Sequence, residues 1–137
     1  MANILIVDDD VSEAAALAAL LQREGHETAC AATAGEALSR LREVDPDLVL
    51  LDLSMPRVDG LDLLDALSGE PRFADLRVAV YSGREDPDAV RAARQMGACD
   101  YILKGSDWPA TYRRIQSCLD GAAVVGGGDA GGDTPVA

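Results

Sequence analysis

Three aspartates stand in a row at Asp8, Asp9 and Asp10, a fourth, Asp52, ends the apolar run Leu48 to Leu51, Ser82 follows Val78-Ala-Val-Tyr81, and Lys104 follows Tyr101-Ile-Leu103. Each polar group stands directly behind a short apolar segment. Two carboxylates about 4 Å apart repel by roughly 4 kcal/mol at an effective dielectric of 20, so converging carboxylates either share a proton or hold a cation. Hard oxygen donors in small number suit Mg²⁺, which keeps several waters and binds through one or two carboxylates plus a substrate phosphate. The chemistry that follows is phosphoryl transfer, with a carboxylate as nucleophile, the metal on the equatorial oxygens and an ammonium completing the clamp. Lys104 is the one lysine of the chain against eleven arginines, so the compact ammonium is used at this position alone.

Positioning these groups requires elements that end together. ILIV (4–7), a stretch around 27–31, LVLL (48–51), VAVY (78–81) and 101–103 read as strands, and continuous apolar runs are the mark of strands buried on both faces. Between them, Asp10-Val-Ser-Glu13 and Thr33-Ala-Gly-Glu36 have the form of capping boxes, and Asp86-Pro87 pairs a cap with a first-turn proline. The expected inward faces are Val11, Ala14, Leu17, Ala18 and Leu21 in the first helix and Ala37, Leu38, Leu41 and Val44 in the second, which Pro46 ends. Leu61, Leu64 and Leu67 follow for the third, after a turn at Met55-Pro56 and Asp59-Gly60, then Val90, Ala93 and Met96 for the fourth. Trp108, Tyr112, Ile115 and Leu119 line the fifth, with Ser106 as its cap. Strands alternating with helices imply parallel crossovers and an α/β sheet covered by five helices on both faces. In such a sheet the carboxyl ends of the strands share one edge, and that edge collects Asp8, Asp9, Asp52, Ser82 and Lys104.

A chain of 137 residues, 48% hydrophobic, suffices for one domain. We expect residues 1–120 to form it and residues 121–137, reduced largely to Gly, Ala and Asp, to be a disordered tail. The formal charge of -12 argues against a nucleic-acid partner, because a phosphate backbone calls for a basic face. No apolar run approaches the roughly 20 residues of a membrane span, and no signal-peptide pattern opens the chain, so a cytoplasmic location is expected. Cys30, Cys99 and Cys118 are too far apart for a metal or redox motif and read as small buried hydrophobes. His26, the single histidine, leaves no ordinary Ser-His-Asp triad.

The segments ILIVDDD, LVLLDLSMPRVDG, VYSG and YILK, in this order, resemble the receiver domain of bacterial two-component response regulators from residue 3 to about 120. The resemblance implies a flavodoxin-like five-stranded parallel sheet of order 2-1-3-4-5. It further implies that Asp52 is the phospho-acceptor, that Asp8, Asp9, Asp52 and the backbone carbonyl of Ser54 bind Mg²⁺, and that Ser82 and Tyr101 are the switch residues, with Lys104 binding phosphate. Its implied partners are a histidine kinase or histidine phosphotransfer protein and a downstream target protein, met through the fourth helix, fifth strand and fifth helix. Arg91, Arg94, Arg113 and Arg114 are candidate contacts there. The family usually has proline after the lysine, whereas Gly105 follows Lys104 here and can supply unusual backbone angles instead.

The expected role is a stand-alone switch, monomeric or weakly dimeric, that catalyses only its own phosphorylation and dephosphorylation and is otherwise no enzyme. One alternative is an aspartyl-phosphate phosphatase, but such enzymes commonly carry a second aspartate where this chain has Ser54. The other is a pseudo-receiver that binds partners without phosphate.

Overall fold

The computed structural model describes residues 2–54 and 60–121. The turn expected at Met55-Pro56 and Asp59, and the tail from residue 122 onward, lie outside the described residues. The strands are β1 (Asn3–Val7), β2 (Glu27–Ala31), β3 (Leu48–Leu51), β4 (Val78–Ser82) and β5 (Asp100–Leu103). The helices are α1 (Val11–Arg23), α2 (Ala34–Glu43), α3 (Gly60–Ser68), α4 (Pro87–Gln95) and α5 (Trp108–Leu119), and a 3₁₀ turn at Pro71–Phe73, which the sequence reading lacked, follows α3. All pairings are parallel and the sheet order is β2-β1-β3-β4-β5, as expected.

Strand periodicity of two divides the core into two layers. Leu5, Val7, Val49, Leu51, Val78, Val80 and Tyr101 face α2, α3 and α4. Ile4, Ile6, Leu48, Leu50, Ala79 and Ile102 face α1 and α5. Because neighbours such as Leu50 and Leu51 serve opposite layers and both are at most 1% exposed, these strands contain no polar alternation. Truncating either to alanine would cost about 2–5 kcal/mol.

Helix boundaries follow local chemistry. The Asp10, Thr33 and Asp86 side chains accept from Glu13 N, Glu36 N and Ala89 N respectively, which satisfies first-turn donors. For α5 the cap is Asp107, which accepts from Ala110 N, and not Ser106. Two expected core residues are outside: Val11 is 71% exposed at the first position of α1, and Val44 is 38% exposed because α2 ends at Glu43 and Val44 is already extended. The helix thus stops before Pro46 acts on it.

In the last three helices Leu64, Leu67, Ala93 and Ile115 are buried as expected, and other expected residues lie at the margin. In α3, Leu63 joins Leu64 and Leu67 while Leu61 is half-buried. Ala89 and Ala93 form the buried face of α4, with Val90 and Met96 at its margin. Thr111, Ile115 and Cys118 do so in α5, with Trp108, Tyr112 and Leu119 half-buried. Of the cysteines only Cys118 is fully buried; Cys30 and Cys99 are half-buried.

Candidate functional site

The sheet ladder continues past the strand ends and carries the polar groups with it. Asp8 N donates to Ala31 O at 3.0 Å, Asp52 N to Val7 O at 2.9 Å and Lys104 N to Ser82 O at 2.9 Å. Asp8, Asp52 and Ser82 are therefore held on rigid backbone and are buried, at 5%, 6% and 0% exposure. Asp9 is exposed, yet one oxygen from each of Asp8, Asp9 and Asp52 lies within 4.8 Å of the others.

Glycine makes the tight approach beneath Asp52 possible. A Cβ on Gly60 would stand 2.6 Å from the Leu53 Cα and 2.7 Å from the Asp52 carbonyl oxygen. At the other side of the site Gly105 has φ +97°, a region that residues with a Cβ rarely adopt. The turn after Lys104 thus depends on glycine in the place where the resembled family has proline, and no cis peptide bond occurs among the described residues.

The Lys104 ammonium is the hub. It donates to Asp8 Oδ2 at 2.8 Å, to Glu13 Oε1 at 2.6 Å and to Asp52 Oδ2 at 3.3 Å, with the Tyr81 ring 5.8 Å away. The remaining oxygens are also engaged: Asp8 Oδ1 accepts from Asp10 N at 2.9 Å and Asp52 Oδ1 from Ser54 N at 3.0 Å. The Ser82 side chain helps to lower the Asp52 pKa, and its hydroxyl oxygen accepts from Arg84 N at 3.2 Å.

These environments separate the two buried carboxyls. Burial pushes Asp8 above its ordinary value, and Lys104 and the Asp10 N–H offset this only in part. Burial also pushes Asp52 upward, but the Ser54 N–H, the Ser82 hydroxyl and Lys104 together outweigh it, leaving Asp52 below the usual range. Burial works against the Lys104 cation as well, yet its carboxylate partners dominate and raise its pKa. The outcome is an Asp52 carboxylate held in its ionised form beside a fixed cation and an acidic oxygen cluster.

Tyr101 is buried, 5% exposed, and its hydroxyl donates to the carbonyl of Arg84. Arg84 is thereby tied at one end to the Ser82 hydroxyl and at the other to Tyr101. The Tyr101 ring is thus already packed inward. Beside it lies a groove between α4 and α5 lined by Val90, Arg94, Tyr101, Leu103, Thr111 and Arg114.

The four arginines proposed as an output patch do not behave alike. Arg91 pairs with Asp88 at 3.0 Å, and Arg114 is engaged by buried Asp100 at 2.6 Å. Arg94 borders the groove and Arg113 is exposed.

Every predicted site residue among Asp8, Asp9, Asp52, Ser82 and Lys104 is brought to one edge, with Ser54 beside it. Glu13 was missed. Its place in the capping box hid it, because a box glutamate ordinarily reaches back to the cap N–H, whereas Asp8 Oδ1 already holds the Asp10 N–H. The signal available in sequence was Asp8 itself, two residues before the cap.

Comparison with known proteins places this geometry in context. Residues 4–116 match the family described as response regulator receiver domain. Protein PilH of Pseudomonas aeruginosa is 33% identical over 122 residues, which cover 88% of this chain and 100% of PilH. The DNA-binding response regulator MtrA of Mycobacterium tuberculosis is 38% identical over 102 residues, 74% of this chain but only 43% of MtrA, so the chain spans less than half the length of that relative. Among solved structures, a CheY-like response regulator receiver domain protein from Methanospirillum hungatei superposes with a TM-score of 0.79 at 28% identity, covering 88% of this chain and 94% of that one.

Proposed function

Because the chain belongs to the response regulator receiver domain family, we propose that it is a phosphorylation switch in which Asp52 accepts a phosphoryl group from a histidine kinase or histidine phosphotransfer protein. The observation that carries this reading is Lys104, one ammonium bonded to both Asp8 and Asp52 at the shared edge of the sheet.

The oxygens of Asp8, Asp9 and Asp52 form a hard anionic donor set that fits Mg²⁺, and Asp8, Asp9, Asp52 and the Ser54 carbonyl would hold it. When bound, the metal supplies positive charge to the oxygens of the transferring group. The chain's own residues do the rest. The ionised Asp52 oxygen attacks phosphorus, the bond from phosphorus to the donor nitrogen breaks, and Lys104 and the Ser82 hydroxyl turn to the new phosphoryl oxygens.

The readout is a population shift. Drawing Ser82 toward the phosphoryl group moves the segment through Arg84, whose carbonyl holds the Tyr101 hydroxyl, and so favours one arrangement of Tyr101 and of the groove between α4 and α5. A target protein binding that face would sense the difference. The match to PilH takes in the whole of that protein, so a receiver domain is sufficient to account for it. No helix among the described residues is long and apolar enough to cross a membrane, and a cytoplasmic site of action accords with the phosphoryl donors named.

The test is intact mass after incubation with acetyl phosphate and Mg²⁺, for the native chain and Asp52→Ala, with and without chelator. The expected result is one added phosphoryl group that requires both Asp52 and Mg²⁺. Absence of the adduct together with absence of beryllofluoride binding would overturn the proposal and favour a phosphate-independent pseudo-receiver.

A further inference from the structure

The Lys104 ammonium has three N–H bonds, and each is spent on a carboxylate: Asp8 at 2.8 Å, Glu13 at 2.6 Å and Asp52 at 3.3 Å. The shortest goes to Glu13. Asp8 and Asp52 belong to the oxygen cluster that fits a cation, and Glu13 does not. The Glu13 side chain is also 53% exposed, against 5% for Asp8 and 7% for Asp52. It is available to the lysine because Asp8 Oδ1 occupies its ordinary capping-box target, the Asp10 N–H.

We infer that Glu13 is a positioning residue that holds Lys104 in competition with any anion bound at Asp52, and so sets how tightly the site takes a phosphoryl group. The inference rests on the reading of Asp52 as phospho-acceptor. An incoming tetrahedral anion needs N–H donors from Lys104. Glu13 opposes it twice, by occupying one donor and by adding a negative charge beside the anion. Since Glu13 is half in solvent, the brake is moderate and can be released without leaving a buried charge unpaired. Glu13→Gln keeps an acceptor oxygen of similar reach while removing the charge, so the ammonium is held less firmly and turns more readily to the anion.

The experiment titrates metal-saturated protein with beryllofluoride, a phosphoryl mimic, by calorimetry, and measures Mg²⁺ affinity separately, for the native chain and Glu13→Gln. The expected result is beryllofluoride binding about fivefold tighter in Glu13→Gln with Mg²⁺ affinity changed by less than about twofold. General loss of acidic charge would weaken Mg²⁺ binding beyond that, and a loosened α1 terminus would weaken both ligands; either result overturns the inference, as does unchanged beryllofluoride affinity. If the native chain itself takes no beryllofluoride, the phospho-acceptor reading falls and this inference falls with it. Native binding with no gain in Glu13→Gln removes the role of Glu13 alone.

Discussion

Arg114 of α5 holds both oxygens of the Asp100 carboxylate at the start of β5, through Nε at 2.7 Å and through a terminal nitrogen at 2.6 Å. Asp100 is 1% exposed and immediately precedes Tyr101, whose backbone N–H donates to the same carboxylate at 2.8 Å. The fork therefore ties the helix to the strand that carries Tyr101.

Arg114→Met should destabilise the fold by about 2 kcal/mol, below the roughly 3–5 kcal/mol of a fully buried pair because the arginine side is 46% exposed. Arg114→Lys should recover less than about half, since an ammonium cannot reproduce the bidentate geometry. Urea denaturation of the three proteins checks both statements; a loss under about 0.5 kcal/mol in Arg114→Met would mean that Asp100 finds another partner.

Gly60→Ala places a methyl where the Leu53 backbone already stands, 2.6 Å away. The backbone next to Asp52 has to shift, so the expected outcome is a loss of about 1–3 kcal/mol together with slower acetyl phosphate labelling. Labelling at the native rate would show that the shift is absorbed away from Asp52.

In chelator, Asp8→Asn should be more stable than the native chain at pH 7. The sign follows from burial, which raises the Asp8 pKa in the folded state: the folded chain favours the protonated form, and holding the ionised form at neutral pH costs stability. Mg²⁺ should reverse the order. Metal at a hundredfold excess over its Kd stabilises the native chain by about 2.7 kcal/mol, and the asparagine variant should gain less. Thermal unfolding with and without Mg²⁺ reads out both.

His26 supplies a pH dependence away from the acidic edge. Its Nδ1 accepts from Ala2 N at 3.1 Å and its Nε2 is 2.6 Å from the Tyr112 hydroxyl, and burial lowers its pKa below 6.5. The unfolded chain then binds the proton more readily than the folded one. Stability contributed by the neutral ring is present above about pH 6.5 and is lost as pH falls toward the depressed folded value. His26→Gln should flatten the slope of Tm against pH between about 5 and 7; an unchanged slope would assign it to other groups.

The strands and their polar ends were legible because they rest on local chemistry. ILIV, LVLL and VAVY are apolar runs bounded by polar residues, and burial on two faces explains them without reference to anything distant. The caps Asp10, Thr33 and Asp86 were legible for the same reason, since each satisfies an N–H three residues away. Helix faces were read less well: Val11 satisfies the helical spacing yet lies outward, because the first residue of α1 projects beyond the layer that Ala14 and Leu17 fill. Ser106 and Asp107 are adjacent and chemically alike as caps, and only the backbone path out of the Gly105 turn selected Asp107.

What the sequence determined on its own is therefore the order of elements, the two-sided sheet and the set of polar residues delivered to its carboxyl edge, all consequences of periodicity and short-range hydrogen bonding. Only the tertiary structure decided which of them meet. Lys104 and Glu13 are 91 residues apart and Tyr101 and Arg84 are 17 apart. Their pairing depends on how α1 lies against β5 and how β4 feeds α4, relations set by packing across the sheet. A carboxylate's environment is likewise a three-dimensional property, which is why Asp8 and Asp52, identical in type and equally strand-terminal, are shifted in opposite directions.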